Sequence, residues 1–191
     1  MQAGFLSKDF PMPIDPSHPG LDGQPNEFKG DMDLCGLKAF LEENSGKDGV
    51  YMIVMTITSN LYGGQPVSMQ NIRETRKLCD EFGVPLWIDG CRMNENAYFI
   101  QRHEDGYAGK DVREIIKEMF SLCDGFHVSL KKMLCSMGAV MQVGEGMLAR
   151  FPGLNKTLKY RQIGNYSNDS QGGLSGRDLA ACTLALYEAS S

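Results

Sequence analysis

The sequence predicts an α/β fold with a mostly parallel sheet flanked by helices. Three observations carry that expectation. Short apolar runs without polar alternation recur along the chain, helical apolar spacings separate them, and glycine or proline punctuates the junctions. Strands that alternate with helices make βαβ units, which favour parallel pairing. At 191 residues, one domain with a sizeable core is expected. A 42% hydrophobic and 23% charged composition fits an ordinary soluble globular protein. The net charge of −5 is spread over interspersed acids and bases, so no basic stripe points to nucleic acid. The longest clear apolar run, Val50 to Ile57, is far too short to span a membrane.

Each element has its own signal. Residues 1–30 are rich in Pro, Gly and Asp and read as an irregular arm. A helix is expected from Asp31, with Leu34, Leu37, Phe40 and Leu41 on one face, followed by a turn over Asn44–Gly49. Val50–Thr58 is apolar without alternation and reads as a strand buried on both faces. Gly63-Gly64-Gln65-Pro66 breaks the chain, and Ser68 can cap a helix over Met69–Phe82 that Gly83 ends. A strand then runs to Asp89. Asn94–Arg102 and Asp111–Cys123 read as helices, Gly125–Ser129 as a short strand and Gly138–Val143 as a returning one. A last helix, Ser175–Ala189, carries Leu179, Cys182 and Leu186 in one stripe.

Six cysteines show no C-x-x-C spacing, and the histidines at 18, 103 and 127 do not flank them as metal ligands would. Reduced, mostly buried thiols are expected, with no metal site. The N-terminus lacks a charged segment followed by an apolar core, so a secretory leader is not expected and a cytoplasmic location is. Twelve methionines fit pliable core packing.

Two side chains stand out chemically. Asp89 closes Val84-Pro85-Leu86-Trp87-Ile88-Asp89, and Lys132 closes Ser129-Leu130-Lys131-Lys132 after a second apolar run. An acid and an amine, each at the C-terminal end of a buried strand, can hold pyridoxal phosphate, the acid on the pyridine nitrogen and the amine on the aldehyde. The same pair also reads as a strand-end cap and a solvated amine.

Four segments in order are more specific: Thr56-Ile57-Thr58-Ser59-Asn60-Leu61-Tyr62-Gly63-Gly64-Gln65-Pro66-Val67-Ser68, Asp89-Gly90-Cys91-Arg92, Glu95-Asn96-Ala97-Tyr98-Phe99-Ile100, and Ser129-Leu130-Lys131-Lys132. Together they resemble the tryptophanase and tyrosine phenol-lyase family, the pyridoxal-phosphate enzymes that β-eliminate aromatic amino acids. Phe28-Lys29-Gly30-Asp31-Met32-Asp33-Leu34 and Gly172-Gly173-Leu174-Ser175-Gly176-Arg177-Asp178 agree more weakly. The resemblance implies the large domain of PLP fold type I, with residues 31–191 as its central part and the upstream part and small C-terminal domain missing. It implies that Lys132 forms the Schiff base and moves the Cα proton, and that Asp89 pairs with the pyridinium nitrogen. Asn60 and Arg92 would hydrogen-bond the cofactor's phenolic oxygen, and Ser129 would contact its phosphate. The implied products are pyruvate, ammonia and indole or phenol, the substrate a small amino acid, tryptophan or tyrosine, and the assembly a homo-oligomer.

Each role has a plainer alternative. Asn60 also suits a turn before Gly63-Gly64, Arg92 a surface ion pair, and Ser129 an ordinary strand end. Glu95, Asn96 and Tyr98 read as helix-start and packing residues, Gly63 and Gly64 as backbone requirements, and His127 as a packed or hydrogen-bonded imidazole. The chain departs from the family in four ways. It is under half the family's length, Leu130 stands where a small residue is usual, Asn168-Asp169-Ser170-Gln171 replaces an aromatic-bearing segment, and Met133–Ala139 is one residue short, with Ala139 for glycine. That last stretch would supply a ligand to the family's monovalent cation, so potassium is in doubt. Threonine-aldolase-like retro-aldol cleavage, which shares the Asp89-Gly90-Cys91-Arg92 motif, is one alternative function. A truncated, non-catalytic fragment is the other.

Overall fold

The computed structural model describes residues 6–12, 27–44, 49–133, 138–166 and 172–188. Helix α1 (Leu34–Glu43) precedes strand β1 (Ile53–Thr56), then α2 (Met69–Phe82) and β2 (Leu86–Asp89). Helices α3 (Met93–His103) and α4 (Val112–Ser121) lead to β3 (Gly125–Ser129) and the returning β4 (Ala139–Val143). Helices α5 (Glu145–Arg150), α6 (Leu154–Tyr166) and α7 (Gly176–Glu188) follow. None of the described helices is long and apolar enough to cross a membrane. The sheet order is β1-β2-β3-β4, with the first two pairings parallel and β3–β4 antiparallel. The mostly parallel α/β architecture expected from sequence is the one observed.

Local chemistry explains the boundaries. Asp33, not Asp31, caps α1 by accepting the Gly36 N–H. Ser68 caps α2 through the Asn71 N–H, and Gly83 ends it at φ 64°. Asp111 and Glu114 form a reciprocal capping box at the start of α4. Asp31 instead accepts both the backbone N–H and the hydroxyl of Ser68, at 2.7 and 3.0 Å. Gly30 donates its N–H to the Pro66 carbonyl, and a Cβ there would lie 2.3 Å from the Gln65 carbonyl oxygen. The arm-proximal stretch and the Gly63–Ser68 loop are therefore docked backbone to backbone.

One expectation fails instructively. β1 is buried on one face only: Ile53 and Met55 are 5% and 1% exposed, while Val54 is 46% exposed. Three parallel strands in sequential order need successive right-handed crossovers, which put their connecting helices on the same side. Ile53, Met55, Leu86, Ile88 and Val128 accordingly face the core with Ile72, Ile100, Ile115 and Met119 from those helices. Val54, Trp87, His127 and Met141 lie on the opposite face, by alternation and register.

Other differences are local. Helix α7 turns Cys182 and Ala185 inward, leaving Leu179 and Leu186 exposed, so the small side chains, not the leucine stripe, make its contact. Helices α5 and α6 carry no clear sequence signal; both lack buried residues, and the apolar side chains of α6 do not segregate to one face. The described cysteines, none in a disulfide, are less buried than expected, with Cys79 and Cys182 buried, Cys91 and Cys123 half-buried and Cys35 exposed. Cys135, residues 45–48 of the predicted turn, and residues 1–5 and 13–26 of the predicted arm lie outside the described residues.

Candidate active site

The C-terminal ends of the parallel strands line up in one row. Thr56 is in register with Asp89, and Asp89 with His127. Past that row the three chains turn away. β1 enters the Thr58–Gly64 loop, β2 the Gly90–Arg92 turn, and β3 a 3-10 turn over Leu130–Met133. A cleft of about 230 Å³ opens there, lined by Thr56, Ile57, Ser59, Asn60, Leu61, Asp89, Cys91, Arg92 and Lys132. The acid and the amine singled out in the sequence thus share one cleft at one edge of the sheet. Lys132 stands in the turn after β3 and is exposed, so the described residues do not supply the enclosure that favours a neutral amine.

The loop carrying Asn60 is held from below. Thr58 adopts φ 51°, a left-handed conformation uncommon for a β-branched residue. Its hydroxyl donates to Asn96 Oδ1 at 3.2 Å, while Arg92 Nη1 reaches its carbonyl at 3.4 Å. Asn96, fully buried on α3, also accepts the Val67 N–H and donates to the Val67 carbonyl, both at 2.9 Å. Asn96 is therefore the clamp that fixes both ends of the loop, the packing role read from sequence in a more exact form. Gly63 and Gly64, at φ 73° and 72°, let the chain turn back toward Val67.

Asp89 is half-buried, and its Oδ1 accepts the Cys91 N–H at 3.2 Å. Burial pushes the Cys91 thiol up, as does the adjoining Asp89 carboxylate; the Ser129 N–H and the Lys132 charge work in the opposite direction. His127 Nε2 lies 3.4 Å from the same Asp89 oxygen. Gly90 closes the turn beneath: a Cβ there would meet the Phe120 ring at 2.7 Å. Of the residues predicted from sequence, Asn60, Asp89, Arg92 and Lys132 line the cleft. Ser129 sits at the end of β3, outside the lining. Leu130, the large residue in the lysine segment, is buried in the core. Sequence reasoning gave Cys91 and Trp87 no role of their own and His127 only a packed or hydrogen-bonded one. Their contacts depend on register between strands, which spacing along the chain does not reveal.

Residues 3–161 match the model of the beta-eliminating lyase family. The chain belongs to that family. Family relatives include a tyrosine phenol-lyase of Intrasporangium calvum, 42% identical over 178 residues, of which this chain covers 36% while 92% of this chain is matched. A tryptophanase of Salinibacter ruber is 42% identical over 162 residues, covering 84% of this chain and 33% of that protein. The chain thus spans about a third of the length of the curated relatives it matches. Among solved structures, a protein of Listeria monocytogenes assigned as an L-allo-threonine aldolase superposes with a TM-score of 0.56 at 20% identity. That match covers 87% of this chain and 38% of the other, and it shows a shared fold.

Proposed function

We propose that this chain forms the cofactor-binding centre of a pyridoxal-phosphate-dependent lyase that β-eliminates an aromatic amino acid. The observation that carries the reading is the convergence of Asp89 and Lys132 on one cleft, with Asn60 and Arg92 in the same lining. The donor set suits the cofactor: a carboxylate for a protonated pyridine nitrogen, an amine for an aldehyde, and an amide with a guanidinium for a phenolate oxygen. When bound, pyridoxal phosphate supplies an electron sink for the charge left at the substrate Cα.

The residues divide the remaining work. Asp89 would hold the proton on the pyridine nitrogen. Lys132 Nζ would bind the aldehyde carbon and, when free, move the Cα proton. Asn60 and Arg92 would fix the phenolic oxygen, and Ser129 would contribute to the phosphate. Protonation and loss of the β-substituent, with uptake of one water, would give pyruvate, ammonia and indole or phenol. Residues 31–191 are the central part of the large domain in this reading. Self-association and a cytoplasmic setting belong to it as well, the latter supported by the free cysteines. A potassium ion would be an addition to this reading at Met133–Ala139, of which residues 134–137 lie outside the described residues.

Retro-aldol cleavage is the second reading, favoured by the Asp89-Gly90-Cys91-Arg92 motif and compatible with the aldolase-like fold. Glycine and an aldehyde from a β-hydroxy amino acid, in place of pyruvate from tryptophan or tyrosine, would select it. The cofactor reading is tested by adding pyridoxal phosphate to the purified chain and recording the visible spectrum. A lysine-linked band present in the wild type and absent from Lys132→Ala supports it. A wild-type chain that never develops the band leaves the non-catalytic fragment as the better account.

A further inference from the structure

We propose that His127 is a positioning residue for Asp89, with its ring hydrogen fixed on Nε2 by Trp87. The role rests on the cofactor reading above. Trp87 Nε1 donates to His127 Nδ1 at 2.9 Å, and the two rings lie 28° from parallel. An indole N–H only donates. Nδ1 is therefore the bare acceptor, and the imidazole carries its hydrogen on Nε2. That nitrogen faces Asp89 Oδ1 at 3.4 Å. The Cys91 N–H addresses the same oxygen. Asp89 Oδ1 is thus met from two sides, which holds in place the carboxylate that would meet a pyridinium proton.

The sheet enforces this geometry. Trp87, Asp89 and His127 all project from the open face, since 87 and 89, two residues apart, share a face of β2 and Asp89 is in register with His127. The Trp87 ring lies over Gly125, where a Cβ would sit 2.3 Å from it, so the glycine is what lets the indole lie flat toward His127. An Asp, Cys and His with ligand atoms all within 4.8 Å also outline a metal site. The Trp87 bond opposes that use. A metal on Nε2 needs the ring hydrogen moved to Nδ1, where the indole N–H already points.

The test uses the full chain in two arms. The first labels histidine with 15N and reads the neutral tautomer of His127 by long-range proton–nitrogen correlation at mildly alkaline pH. The Nε2–H form is expected, relaxing toward a mixture in Trp87→Phe. The second titrates pyridoxal phosphate, following quenching of Trp87, the single tryptophan of the chain. His127→Leu should weaken binding about three- to tenfold, the scale of losing one polar contact to a charged group. His127→Gln, whose amide N–H falls near the place of Nε2, should restore most of it. A predominant Nδ1–H tautomer, or His127→Leu binding as wild type does, overturns the proposal. So does Zn²⁺ binding that shifts His127 and is lost in Cys91→Ser. Wild-type chain that binds no pyridoxal phosphate sinks the cofactor reading and this role together. Intact binding with the wrong tautomer sinks the role alone.

Discussion

Asn96→Ala should be among the most damaging single changes near the cleft. The side chain is fully buried and makes two bonds to the Val67 backbone and one to Thr58 Oγ1. Truncation strands the N–H and carbonyl of Val67, a residue only 1% exposed. Each stranded buried group costs about 1–3 kcal/mol. Relaxation of the Thr58–Val67 loop recovers part of that, so a net loss of about 2–4 kcal/mol is expected. Urea unfolding followed by far-UV circular dichroism measures it, as a lower midpoint at unchanged slope. Asn96→Asp separates geometry from polarity. It keeps the acceptor but loses the donor and buries a charge, so it too should destabilise. An Asn96→Ala chain within about 0.5 kcal/mol of wild type, the range of an inert surface change, would refute the clamp.

Three further outcomes follow from the same contacts. Gly90→Ala drives a methyl into Phe120, and overpacking of this kind costs about 1–3 kcal/mol; pairing it with Phe120→Leu should restore part of the loss in thermal unfolding. Burial raises the Asp31 carboxyl from 3.8 to about 6 despite its Ser68 bonds. The folded state then binds the proton more tightly than the unfolded one, so stability rises as pH falls through about 6 and is lost as it climbs. Between about pH 7.5 and 5.5 the gain is about 0.8 kcal/mol, and Asp31→Asn should remove this dependence in pH-resolved unfolding curves. Asp89→Ala should weaken pyridoxal phosphate binding more than Lys131→Ala, because Lys131 is exposed and absent from the cleft lining; equal losses in a binding titration would contradict the assigned roles.

Much of the architecture was legible because local signals agreed with one another. Ser68, Gly83 and Asp111 mark helix ends by side-chain or backbone chemistry that acts within a few residues. Asp89 and Lys132 were visible because each follows an apolar run at a strand end. What stayed hidden depends on neighbours distant in sequence. β1 reads as doubly buried, since its own residues are apolar throughout, yet strand order leaves Val54 on an uncovered face. Helix α6 could not be seen because its exposed surface imposes no apolar period. The bond from Trp87 to His127 spans forty residues and appears only once β2 and β3 are in register. Asn96 is the buried packing residue the sequence suggests, though its partner Val67 could not be inferred without the loop's path; Tyr98, read the same way, is 55% exposed.

The most direct measurement of the central claim is to reduce the pyridoxal phosphate complex of the full chain with borohydride and map the modified lysine by mass spectrometry. The account predicts one dominant pyridoxyl-lysine, at Lys132, with occupancy that falls in Asp89→Ala. Label scattered over Lys131 and the surface lysines, or label at Lys132 indifferent to Asp89, would contradict a cofactor seated between that carboxylate and that amine.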